Sequence, residues 1–320
     1  MAWQQGTELK GGAYTVEGLL GQGRFGITHL ARDRLGDLLA IKTLNPDSAV
    51  LNQMNDGDRQ ALVAKFYDEA VKLAQCKHLH IVRVREIFEE PVRGWFGTRR
   101  HACIVMDYVD GYDLSKRRSP QLPIGEVLRY GRQIGAALIA VHEQGLLHRD
   151  VKPGNIIVRS HRGKTEAVLI DFGLARSFNH PLTQQITSSG FAPIELHSNN
   201  FERGPWTDVY GLAATLYELL TGKPPEDALD RHDQDSPASL TPPRCYVPQL
   251  SRRVNDAIVH GLALMPGDRT PSIPQFLREL GVGQWYVPFP NWDVNVWVQV
   301  LMMVGTFVGA VAAVIAIFKN

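Results

Sequence analysis

Closely spaced cysteines, a dominant charge and an apolar run near residue 1 are what this sequence conspicuously lacks. Its three cysteines, Cys76, Cys103 and Cys245, are widely spaced and odd in number, with no CxxC pair. That pattern reads as reduced thiols in a reducing compartment, with a disulfide as the alternative. Charge of one sign is not in excess: 34 basic residues meet 33 acidic ones, for a formal net charge of +1. No global field therefore draws the chain to nucleic acid or anionic lipid, and any partner is chosen locally. The opening residues Met1 to Gly6 contain neither a basic n-region nor an apolar h-region. No secretory signal is expected, and the bulk of the chain is expected in the cytoplasm. An uncharged run long enough to cross a bilayer is missing until Val294. What remains, 44% apolar and 21% charged over 320 residues, suits one two-lobed domain of roughly 250–300 residues plus an appendage.

The densest chemistry lies in His148-Arg149-Asp150-Val151-Lys152-Pro153-Gly154-Asn155, between an amphipathic stretch and the apolar run Ile156-Ile157-Val158. Asp150 can orient or accept the proton of an attacking hydroxyl, Lys152 can neutralise a phosphoryl group in transfer, and Asn155 can hold a metal through its carbonyl oxygen. Sixteen residues after Asn155 stands Asp171-Phe172-Gly173, an acid, a large apolar residue and a hinge glycine. Near the start, Gly21-Gln22-Gly23-Arg24-Phe25-Gly26 separates two short strands, Tyr14 to Leu20 and Ile27 to Ala31. Glycines between strands do not make a dinucleotide fold, which needs a helix after them. They suit a flap whose backbone N–H groups cover phosphates, and read alone they equally suit a plain glycine-rich hairpin. Lys42 projects from the apolar strand Leu38 to Leu44, where a buried ammonium needs an anionic partner; on its own it is also readable as a snorkelling lysine.

The order and spacing of these four motifs resemble the protein kinase signature set. Gly-Gln-Gly-Arg-Phe-Gly-Ile-Thr and Gly-Phe-Ala-Pro-Ile-Glu look like the bacterial Hanks-type serine/threonine branch. The departures are Thr28 where valine is usual, Ile194 where proline is usual, and the replaced Gly-Thr before Phe191. None removes a catalytic group. The resemblance implies an α+β, bilobal kinase domain over residues 14–280. A small antiparallel sheet with one helix forms the N-lobe (about 14–107), and a larger, mainly helical C-lobe covers about 112–280. Lys42, fixed by Glu69, is then expected to hold the α- and β-phosphates of ATP under the flap of Gly21, Gly23 and Gly26. Met106 lines the back of the adenine site, the backbone of Asp107 and Val109 bonds the base, and Asp113 reaches the ribose. Asp150 orients the acceptor hydroxyl, Lys152 stabilises the γ-phosphoryl charge, and Asn155 and Asp171 hold Mg²⁺, with Mn²⁺ as a substitute. Lys152, two residues after Asp150, favours alcohol over tyrosine acceptors.

Other residues take structural parts in the same picture. His148 reads as a backbone-anchoring core histidine and Asp208 as the anchor of the catalytic loop. Glu195 pairs with Arg269, and Arg149 grips a phosphorylated activation segment. That segment, 171–195, offers Ser177, Thr183, Thr187, Ser188 and Ser189 as acceptors. Helical spacing predicts one helix with Leu62, Phe66, Ala70, Leu73 and Ala74 on a shared face after a polar stretch to Gln60, another over Ile124 to Glu143, and a third opening at Trp206. A linker rich in aromatics and proline occupies 281–293.

Val294 to Phe318 is a run of 25 residues without a charge, about 37 Å as a helix, so a C-terminal transmembrane helix is expected. Trp292 and Trp297 suit an aromatic belt, and Gly305 and Gly309 form a GxxxG that suits a homodimer. The other reading of this run is a buried core helix. On these expectations the chain is a single-pass membrane protein with its kinase domain in the cytoplasm, either ending as a tail anchor or continuing beyond Asn320. It acts on protein Ser and Thr and does not bind nucleic acid. The rival readings are a membrane-tethered pseudokinase and a small-molecule phosphotransferase; against them stand intact Lys42, Asp150 and Asp171, and the peptide platform Ala192-Pro193-Ile194-Glu195.

Overall fold

Alternating apolar residues build a six-stranded antiparallel sheet in the order β1-β2-β3-β4-β6-β5. The strands are β1 (Glu8–Leu9), β2 (Tyr14–Gln22), β3 (Gly26–Asp33), β4 (Leu38–Leu44), β5 (Val84–Gly94) and β6 (Gly97–Asp107). The computed structural model describes residues 3–283 apart from 24–25, 46–54, 95–96, 162, 172–189, 199–200 and 234–238. The segment expected to span a membrane and the five candidate phosphoacceptors lie outside the described residues. Among the described residues no helix is long and apolar enough to cross a membrane.

The sheet is apolar on both faces. Ala40, Ile104 and Met106 on one face pack with Phe66, Ala70 and Leu73 of helix α1 (Asp56–Gln75) into the main core. Leu9, Val16, Ala31, Leu39, Ile41, Phe88, Cys103 and Val105 fill the other face, with Trp3 and Tyr14 packed against them. Helix α1 starts at Asp56, six residues before the apolar periodicity does at Leu62, because Asn55 caps it: its side chain accepts from Asp58 N at 2.8 Å. Ala74 is exposed rather than on the buried stripe. It lies one step, about 100°, past Leu73 on the helix, which carries it off the sheet.

The second lobe is helical: α2 (Ile124–Glu143), α3 (Pro205–Thr221), α4 (Ala228–His232), α5 (Arg252–Gly261) and α6 (Ile273–Leu280). A small sheet of β7 (Tyr112–Asp113), β8 (Ile156–His161) and β9 (Lys164–Leu169) lies beside it. Helix α3 is buried almost all round. It comes so close to the loop 148–155 that a Cβ on Gly211 would sit 3.0 Å from the Val151 carbonyl oxygen. The two lobes are stitched by backbone. Val82 N donates to Leu169 O at 3.0 Å and Leu169 N donates to His80 O at 2.9 Å; within the first lobe, Asp107 N donates to Arg83 O at 2.9 Å.

Candidate active site

The loop 148–155 is held from below by one buried carboxylate. Asp208, in the first turn of α3, accepts from Arg149 N at 2.7 Å through one oxygen. Through the other it accepts from His148 N at 2.9 Å, and that oxygen also lies 2.7 Å from His142 Nε2. Burial alone would raise this carboxyl, but His142, His148 and the Arg149 amide outweigh it and hold Asp208 below the usual carboxylate range. It is an ionised anchor, as its sequence context suggests.

His148 is buried and is kept neutral by that burial. Its Nδ1 accepts from Asp150 N at 3.3 Å, which leaves Nε2, 3.3 Å from the Ile170 carbonyl, as the protonated nitrogen. Nδ1 is thus used within the loop and Nε2 in wiring the loop to the residue before Asp171. Backbone strain gathers at the loop and at the acid beside it. Among the described residues only three non-glycines have positive φ, and two are here: Arg149 at 63° and Asp171 at 53°.

Asp150 stands between a cation and an amide. Lys152 Nζ is 3.1 Å from Asp150 Oδ2. Asn155 Nδ2 donates to the same oxygen at 3.0 Å and to the Asp150 carbonyl at 2.7 Å. Since Nδ2 faces Asp150, Oδ1 of Asn155 points away from it, the orientation a metal ligand needs. Asp171 is placed alongside because Ile170 N donates to the Asn155 carbonyl at 2.9 Å. Lys42 reaches across from β4 and its Nζ donates to Asp171 Oδ1. The side chain of Glu69, the partner expected for Lys42, lies outside the described residues, as do Phe172 and Gly173.

The glycine flap is a hairpin, with Gly21 paired to Thr28 and Gln22 to Ile27. Gly23 N donates to Gly26 O at 2.8 Å, and Asn45 Nδ2 donates to Gly23 O at 3.2 Å. Asn45 carried no signal in the sequence, standing at the end of a strand before a polar stretch. Gly26 lies over Lys42, whose Cε would be 3.1 Å from an added Cβ. Met106 is buried at the end of β6, and Asp107 and Val109 follow it into the connection to β7. Asp113 caps the 3₁₀ turn Leu114–Lys116: its carboxylate accepts from Ser115 N at 3.1 Å and lies 2.9 Å from Lys116 Nζ. Burial would raise this carboxyl, and Ser115 and Lys116 together bring it below its ordinary value. Gly111, unremarked in the sequence, is where β7 meets β8; a Cβ there would lie 2.2 Å from Val158 O.

A cation above, an acid beside a lysine, and an amide oxygen next to a second acid are the parts that phosphoryl transfer requires. Comparison with known proteins agrees. Residues 14–269 match the family model described as protein kinase domain, and the chain belongs to that family. Its kinase domain is of the serine/threonine class. It is 33% identical over 233 residues to the serine/threonine-protein kinase PkaA of Streptomyces coelicolor, covering 67% of this chain and 40% of that protein. It is 32% identical over 286 residues to the serine/threonine-protein kinase PknF of Mycobacterium tuberculosis, covering 84% and 56%. The chain thus spans about half or less of the length of these relatives. Among solved structures, a double mutant of the Mycobacterium tuberculosis PknI kinase domain superposes with a TM-score of 0.67 at 28% identity, covering 88% of this chain and 98% of that one. A structure described as PpkA-294, apo form, gives 0.68 at 27%, covering 87% and 99%.

Proposed function

We propose that this protein transfers the γ-phosphoryl group of ATP to serine and threonine hydroxyls of proteins, its own activation segment included. The observation that carries the reading is the convergence of Asp150, Lys152, Asn155, Asp171 and Lys42 on one side of a loop locked by Asp208. Asp150 takes the hydrogen bond of the incoming hydroxyl and accepts its proton as the new oxygen–phosphorus bond forms and the bond from the γ-phosphorus to the bridging oxygen of ADP breaks, ADP leaving with that electron pair. Lys152, already beside Asp150, balances charge on the transferring group. Lys42 holds the α- and β-phosphates and Asp171 faces the same space. Asn155 Oδ1 and the Asp171 carboxylate would hold Mg²⁺, or Mn²⁺ in its place, and the ion when bound neutralises phosphate charge. Gly21, Gly23 and Gly26 close over the phosphates. The backbone of Asp107 and Val109 takes the base, and Asp113 takes the ribose at the cost of its present bonds to Ser115.

The uncharged run 294–318 supports a single membrane span with the kinase domain on the cytoplasmic side, where ATP is found. Its GxxxG supports pairing of two copies. Membrane fractionation of the full chain against a chain ending at residue 283 tests the span.

The deciding experiment measures ³²P transfer from ATP and Mg²⁺ to the full chain and to a general protein acceptor, with Asp150→Ala beside it. Phosphoserine or phosphothreonine that depends on Asp150 supports the reading. Tight nucleotide binding without transfer would move the assignment to a pseudokinase.

A further inference from the structure

We infer that Arg85 is a positioning residue for the adenine-binding backbone at Asp107–Val109, a role that rests on the kinase reading above. The β5–β6 pairing has one register shift, between Val84 and Glu86, which pair with Met106 and Val105. Arg85 is the extra residue of that bulge. Its Nε donates to Asp107 Oδ1 at 2.5 Å, and its Nη1 lies 3.6 Å from Asp37 Oδ2 and 3.9 Å from Asp33 Oδ2. One guanidinium therefore gathers three carboxylates from two places, the β3–β4 turn and the start of the hinge.

The turn it leans on is itself rigid. Asp33 Oδ1 accepts from Leu35 N and Asp37 N, both at 2.9 Å, and Asp33 N donates to Asp37 O at 3.0 Å. Asp107 is thus gripped twice at the start of the bulged strand, through its amide by the carbonyl of Arg83, the residue before β5, and through its side chain by Arg85. Its remaining backbone group is the one the base needs, and its direction follows from that grip. Without the guanidinium, Asp33, Asp37 and Asp107 repel one another and the hinge residue loses its side-chain tether. Arg85 is 38% exposed and Asp37 is 61% exposed, so the loss falls on the placing of the hinge rather than on folding.

The test uses the full chain with Arg85→Ala and Arg85→Lys, and Asp107→Asn as the partner change. Steady-state transfer and binding of fluorescently labelled ADP are both measured. Arg85→Ala is expected to raise KM for ATP and Kd for ADP about fivefold to tenfold, an effect typical of a lost charge-assisted hydrogen bond. The expected changes in kcat and in KM for the protein acceptor stay within about twofold, and thermal unfolding is unmoved. Arg85→Lys restores part of the affinity, and high salt narrows the gap between wild type and Arg85→Ala by screening the exposed pair. Unchanged ADP affinity in Arg85→Ala would overturn the inference, as would a loss of stability with kcat and both KM values moving together. Absence of transfer by the wild-type chain would refute the kinase reading instead, while the ADP measurement still decides the role of Arg85.

Discussion

Glu195 and Arg269 form an ion pair whose two side chains are both closed to solvent, with Arg269 Nη1 2.6 Å from Glu195 Oε1. The second oxygen of Glu195 accepts from Nη2 at 3.2 Å, and the first also accepts from Thr207 Oγ1 at 3.0 Å. Arg269 is otherwise consumed by the carbonyls of Ala263, Trp206 and Leu264, and its guanidinium lies 4.9 Å from the centre of the Tyr210 ring. Removing one partner strands the other charge in the core. Arg269→Ala or Glu195→Ala is expected to cost about 3–5 kcal/mol of stability, read as a lowered urea midpoint. The double change to Glu195→Leu and Arg269→Met should cost less than either alone, since no bare charge remains.

At the reacting end the expectation is the reverse, with activity lost and fold retained. Asp150→Ala should lower transfer by about 10²–10⁴-fold and leave ADP binding within a few-fold. Lys42→Met should weaken nucleotide binding as well as transfer, because the proposed reading gives Lys42 the α- and β-phosphates. Equal retention of ADP affinity in both variants would contradict the division of labour between them.

Acid should loosen the molecule well before its carboxylates titrate. Burial holds His29, His78, His80 and His148 each below the ordinary histidine value of 6.5. The unfolded chain takes up those protons as pH falls through about 6.5, and the native chain takes them up only lower. Stability is therefore full above that value and declines as pH drops from 6.5 through the native values. The slope can reach about 1.4 kcal/mol per pH unit for each histidine in the window. Asp208, whose native value is depressed, keeps its contribution over that range and loses it only as pH falls below the carboxylate value of 3.8. Urea midpoints at pH 7.5 and 5.5 check this, and equal midpoints would contradict it.

Gly111→Ala is expected to be severe for its size. The new Cβ would meet the Val158 carbonyl at 2.2 Å and the Ile157 side chain at 2.8 Å. The hinge must then move off β8, and we expect a loss of about 1–3 kcal/mol together with a raised KM for ATP. The control Gly125→Ala, where an added Cβ has open space, should be silent in both measurements.

The parts of this site that could be read from the sequence are those carried by one short stretch of chain. His148 to Asn155 holds its acid, lysine and amide within eight residues, so spacing alone brings them together. The Glu195–Arg269 pair was legible through the resemblance, although 74 residues separate the two. Helix α2 matched its periodicity residue for residue, Ile124 to Glu143, because it is long and amphipathic. Strand β1 was missed, since two residues carry no period, and so was β9, whose polar half, Lys164 to Glu166, gives no alternation. Asn45 over Gly23, Gly111 under Val158 and Arg85 among three carboxylates left no mark in the sequence. Each arises from chain segments meeting in space, and for Arg85 from a single-residue bulge that no composition encodes.

The N-terminal segment imposes an order of events on folding. Lys10, just past the edge strand β1, reaches Glu86 at 2.7 Å and, through its amide, Glu90 at 2.7 Å, both on the opposite edge strand β5. Tyr14 donates to Glu86 at 2.6 Å. The two rims of the sheet are thus fastened by residues more than 70 positions apart in the chain. Such a closure carries a loop-entropy cost that local strand pairing does not. Because β5 joins the sheet only through β6, the contacts of Lys10 and Tyr14 with Glu86 and Glu90 can close only once the chain has been made through Asp107.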